Sequence, residues 1–116
     1  MKKINNNAVG VCRGSELMFS SYDNDGEMWS GQGSRFIVRR VTFPTPFLTS
    51  PIVHVSISMW DIARDSNQRA HIEAADVAPD GFDLVFRTWS DTRVARIRAD
   101  WLAIGELDYD DDWDLT

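Results

Sequence analysis

Hydrophobic and polar residues alternate with a period of two along much of this chain. The clearest run follows Pro79: Phe82, Leu84 and Phe86 fall on one face, Asp83, Val85 and Arg87 on the other. That spacing predicts a half-buried β-strand within Pro79–Asp91. Pro79-Asp80-Gly81 reads as the turn that opens it, proline presetting the first turn position and Gly81 accepting positive φ. The exit places Trp89, Ser90 and Asp91 in the next loop.

The same reading predicts further strands. Arg93–Gly105 puts Ala95, Ile97, Ala99, Trp101 and Ala103 on one face, with Arg96, Arg98 and Asp100 opposite. Pro51–Ile62 puts Val53, Val55, Ile57 and Met59 against His54, Ser56, Ser58 and Trp60. Arg69–Val77 sets Ala70, Ile72 and Ala74 against Arg69, His71 and Glu73. Arg35–Phe43 is β-branched and aromatic, and Pro44 and Pro46 end it because proline cannot donate to a ladder. Glu16–Tyr22 is a first, shorter strand. Asp23-Asn24-Asp25-Gly26 is a turn; it lacks the further acidic positions of a calcium loop. Trp29–Ser34 is a glycine-bearing loop, and Ala63–Gln68 a polar connection.

Six strands with turn signals between them and no helical period predict one all-β domain, an antiparallel β-sandwich. The boundaries are an N-terminal arm (1–15), the sandwich (16–107) and an acidic tail (108–116). The arm is loose or tied down by a neighbour. One feature sits awkwardly on a lone chain: Arg69, His71, Glu73, Arg96, Arg98 and Asp100 are charged or titratable in mid-strand. Such residues are either solvated or paired across a subunit interface.

Composition narrows the partners. With 116 residues and a formal net charge of −6, the chain is a poor match for nucleic acid or an anionic membrane. Its single cysteine, Cys12, excludes an internal disulfide. Lys2 and Lys3 lead into asparagines and not into the apolar core of a secretory signal, and no stretch approaches the roughly 20 apolar residues of a membrane span.

The residues that carry chemistry point to binding. His54 and His71 lie in different strands without cysteines or spaced carboxylates, so neither metal nor cofactor is expected. There is no G-x-S-x-G elbow. Asp61 and Asp91 are the only carboxylates near one rim that a glycosidase could use, and no enzyme activity is expected. Trp101 reads as core. Trp89 either offers an apolar plate to a sugar ring or caps the core. Arg69 either forks onto hydroxyls or a carboxylate, or pairs with Asp61 or Asp91.

Four segments carry a family resemblance: V-T-F-P-T-P-F (41–47), S-P-I-V-H-V-S-I-S-M-W-D-I (50–62), V-A-P-D-G-F-D-L-V-F-R-T-W-S-D-T-R-V (77–94) and A-D-W-L-A-I (99–104). They resemble the H-type lectin domain of snail agglutinins and slime-mould discoidins, across about Arg35–Ile104, and its bacterial members more closely than the snail lectins. The resemblance implies a six-stranded sandwich assembled as a homotrimer, whose mid-strand charges face neighbouring subunits. It implies N-acetylgalactosamine or galactose-like glycans bound in clefts between subunits without metal. Arg69 then contributes from one subunit and Trp89 from the next, with Gln32, Ser90 and Asp91 adding hydrogen bonds. The chain departs from the family pattern at three places. Ser90 stands where animal members often carry histidine, Ala95 where a tyrosine stacks on the sugar, and Gln32 where an aspartate accepts hydroxyls, unless a shifted loop brings in Asp23 or Asp25. A second role remains open, a structural or attachment trimer within a larger, phage-like assembly. Without an export signal, contact with an external glycan requires lysis, a dedicated secretion route or delivery on a particle.

Overall fold

The protein is described by a computed structural model covering residues 1–5, 8–20 and 26–108. Its elements are β1 (Val9–Ser20), a one-turn helix α1 (Glu27–Ser30), β2 (Arg35–Thr42), β3 (Ile52–Ile62), β4 (His71–Ala78), β5 (Gly81–Thr88) and β6 (Val94–Glu106). They form two three-stranded antiparallel sheets, ordered β1-β6-β3 and β2-β5-β4. The two strands with the strictest alternation, β5 and β6, are therefore the central strands, one in each sheet.

Their apolar faces meet to form the core. Phe82, Leu84 and Phe86 from β5, and Ile97, Ala99 and Ala103 from β6, are fully buried. Phe82 meets Trp101 edge-on, with ring centroids 5.5 Å apart, and Phe19 of β1 packs on Phe86 at 5.4 Å. Phe43 and Phe47, just beyond β2, close the far end of this cluster. Burying each such side chain contributes about 1.5–3 kcal/mol, which makes β5 against β6 the principal packing contact.

The structure departs from the sequence reading at several points. β1 begins at Val9, so the second half of the segment read as an arm is a strand paired with β6. Its alternation runs opposite to the usual pattern, larger residues outward and small ones inward. Val9, Val11, Arg13 and Ser15 face outward, whereas the inward residues Gly10, Cys12 and Gly14 are small because Leu107 and Trp101 fill the space beneath the two glycines. Trp29 and Ser30, read as loop, belong to α1. Gly81 takes ordinary negative φ; it is needed because a Cβ there would lie 2.2 Å from the Val41 carbonyl oxygen. The turn itself is Pro79-Asp80, closed by the Ala78–Gly81 pair. Tyr22, the Asp23–Asp25 turn and residues 109–116 of the acidic tail lie outside the described residues.

The mid-strand charges occupy the two opposite outer faces of the sandwich. On β1-β6-β3, Arg96 pairs with Asp61 at 3.1 Å and Arg98 donates to Ser15 at 3.4 Å. On β2-β5-β4, Glu73 accepts from Arg87 at 2.9 Å and lies 3.7 Å from His71. Most of these groups thus have partners within one chain.

Candidate functional site

The site is built at the end of the molecule where β5 stops. Thr88 and Thr92 bracket Trp89-Ser90-Asp91 and are almost wholly buried, at 1% and 0% exposure. Their hydroxyls lash this loop to the segment that leads into β4. Thr88 Oγ1 donates to the Arg69 carbonyl at 2.6 Å. Thr92 Oγ1 donates to the Asn67 carbonyl at 2.5 Å and accepts the Arg69 N–H at 3.2 Å. Arg69 and Trp89, which belong to different strand ends, are thereby fixed side by side in one chain.

Arg69 Nη1 pairs with Asp91 Oδ1 at 2.5 Å. Asn67 donates to the same carboxylate through Nδ2 at 3.2 Å and through its backbone N–H at 3.5 Å. Desolvation alone would raise the Asp91 pKa. The hydrogen bonds from Asn67 and Arg69 outweigh it and hold the carboxyl below its ordinary value. The ion pair is thus the partnership that the sequence offered as an alternative to a ligand role. It does not use up Arg69, whose other guanidinium N–H groups have no partner among the described residues.

The other side of the loop is held by Arg35, which the sequence reading passed over. Only 3% exposed, it donates from Nε to the Gly33 carbonyl at 3.1 Å, from Nη1 to Met28 at 3.1 Å and Glu27 at 3.5 Å, and from Nη2 to Ser90 at 3.2 Å and Thr92 at 2.7 Å. One buried cation thus joins the backbone carbonyls of the one-turn helix α1 to the Ser90–Thr92 loop. Ser90 has φ of 61°, the left-handed region that side chains other than glycine rarely enter. Its carbonyl takes both Arg35 and the Gly33 N–H at 3.1 Å, which holds that conformation in place. The same contact brings Gln32, exposed and next to Gly33, to this end of the molecule. Arg93 adds a further tie, lying 5.0 Å from the centre of the Trp29 ring.

Arg69, Trp89, Ser90, Asp91 and Gln32 are therefore gathered at one end by backbone and side-chain bonds, with Trp89 43% exposed. Ala95, where the resemblance implies a stacking tyrosine, is buried. His54 and His71 stand on different sheets, and among the described residues no three His, Cys, Asp or Glu side chains come together. Asp61 and Asp91 are each ion-paired, and Asp91 is held ionised, the opposite of what a glycosidase's general acid needs. Burial pushes the Cys12 thiol up, away from nucleophilic thiolate.

A small rigid sandwich with an exposed aromatic, hydroxyls and a braced arginine on its end loops is the build of a carbohydrate-binding module. The comparisons agree. Residues 38–104 match the H-type lectin domain model. A protein of the bacterium Fuscovulum blasticum, described as ATP synthase subunits region ORF 7, is 49% identical over 108 residues, covering 93% of this chain and 94% of its own. Discoidin-2 of Dictyostelium discoideum is 38% identical over 81 residues, 69% of this chain, which spans only 32% of that relative's length. The solved structure of wild-type discoidin II from Dictyostelium discoideum superposes with a TM-score of 0.75 at 30% identity, covering 92% of this chain and 40% of that one. The chain belongs to the H-type lectin domain family.

Proposed function

We propose that the chain binds galactose- or N-acetylgalactosamine-type glycans, as a homotrimer whose clefts between subunits hold the sugar. The observation that carries the sugar-binding reading is the braced Arg69 at the same end of the chain as the exposed Trp89; the placing of the sugar between subunits rests on the family resemblance. Arg69 donates to ring hydroxyls, and Trp89 packs the apolar C–H face of the ring. Ser90 and Gln32 supply further hydrogen bonds, while Asp91 chiefly holds Arg69 in place.

The outer face of β1-β6-β3 supports assembly. Val11, Ile104 and Ile52 are cross-strand partners in one row, and Val11 and Ile52 are exposed. Leu102 lies between Arg13 and His54 in the next row, and Asp100 between Ser15 and Ser56 in the one after. A ring of copies joins unlike patches, so an apolar and ionic strip of this kind suits a cyclic trimer. Several weak sites on one particle then act together through avidity. The same apolar row also favours the second reading, an assembly hub that ignores sugars. A monosaccharide panel titrated into protein of measured mass separates the two: a trimer that takes up galactose-type sugars supports the lectin reading, and a trimer inert to all of them supports the hub.

A further inference from the structure

We propose that the groove between Phe36 and Trp89 receives a carboxylate-bearing sugar unit, with Arg87 as the group that reads the carboxylate. This rests on the carbohydrate-binding reading and extends it to a second side of Trp89. Trp89 follows directly on the end of the central strand β5. Arg69 leads into β4 on one side of it, and Phe36 sits on β2 on the other. The groove has a volume of about 320 Å3, near the lower end of small-molecule pockets, and is lined by Ser34, Arg35, Phe36, Arg87, Thr88 and Trp89.

Two features of this groove call for an occupant. Phe36 stands on the outer face of β2 at 68% exposure, directly across from Arg87 in the ladder, with Trp89 two residues further along the chain, just past β5. Two aromatic faces beside one groove suit the C–H surface of a pyranose. The charged lining is wholly cationic, in a chain of net charge −6. Arg35 gives its donors to backbone carbonyls, so the charge on offer is that of Arg87. Arg87 uses Nη2 for Glu73 at 2.9 Å, and its Nε and Nη1 have no protein partner among the described residues. Glu73 thus steadies the guanidinium while leaving N–H donors for a charge-assisted hydrogen bond to a ligand carboxylate.

The test is calorimetric titration of the whole chain with galactose and with galacturonic acid, repeated for Arg87→Gln, Phe36→Ala and Glu73→Gln. The expected result is galacturonic acid binding about tenfold more tightly than galactose, the scale of one added charge-assisted contact. That preference disappears in Arg87→Gln with galactose affinity unchanged, weakens in Phe36→Ala, and survives in Glu73→Gln. Equal affinities in the unmodified protein, or a preference that persists in Arg87→Gln, overturn this proposal and leave galactose binding standing. Binding of neither sugar overturns the carbohydrate reading together with it.

Discussion

Arg35 Nη2 donates to the Ser90 carbonyl at 3.2 Å, so a buried cation at the start of β2 sets the backbone that presents Trp89, Ser90 and Asp91. Among the described residues no carboxylate pairs with this arginine; its charge is met by carbonyl dipoles from three segments.

Replacing Arg35 with methionine keeps the volume and removes every donor. The carbonyls of Met28, Ser90 and Thr92 then lose a buried partner, and unfolding stability is expected to fall by about 3 kcal/mol. Urea denaturation followed by circular dichroism measures it. Arg35→Lys should recover only a minor part, since a lysine cannot fork onto carbonyls on both sides.

Trp89→Ala should separate binding from folding. The ring is half exposed and lies outside the core cluster, so stability should drop by less than about 1 kcal/mol while sugar affinity falls at least about tenfold. Parallel thermal melts and titrations read both. Equal losses in the two would mean that Trp89 only caps the fold.

Asp91 makes a prediction about pH. Its folded-state pKa is lowered, so the stability it contributes is present above the unfolded carboxylate value of about 3.9 and disappears as the pH falls through the lower folded value. Sugar affinity that depends on the braced Arg69 should stay level from pH 8 to about pH 4 and fail below it. Asp91→Asn should weaken binding at every pH and remove that acidic step. A midpoint near pH 6 would point to another group.

Gly14→Ala tests the inverted first strand. The added Cβ would stand 2.6 Å from the Trp101 indole, whose ring is locked between Phe43 and Phe82. The overpacked pair should lower stability by about 1–3 kcal/mol. An indifferent substitution would mean that Val9–Ser15 is not held against β6.

These residues also show where sequence pattern stops being informative. β5 and β6 were readable because Phe82, Leu84, Phe86, Ile97 and Ala99 alternate with polar partners, and central strands bury one face completely. The first half of β1 was not, because its core-facing positions are Gly10, Cys12 and Gly14, kept small beneath Leu107 and Trp101. The same blindness hid Arg35. A lone arginine at a strand start normally snorkels into water, and the carbonyls that bury it come from parts of the chain far apart in sequence. Arg69, Trp89 and Asp91 could be nominated from the sequence as candidates, but the lashing by Thr88 and Thr92 that brings their segments together was legible only as two threonines flanking W-S-D.

The most direct measurement is titration of galactose and N-acetylgalactosamine, up to millimolar concentrations, into protein whose mass has been set by light scattering. A trimeric mass with one sugar bound per chain, lost in Trp89→Ala, is the expected result. A monomeric mass, or a trimer that takes up no galactose-type sugar, would contradict it.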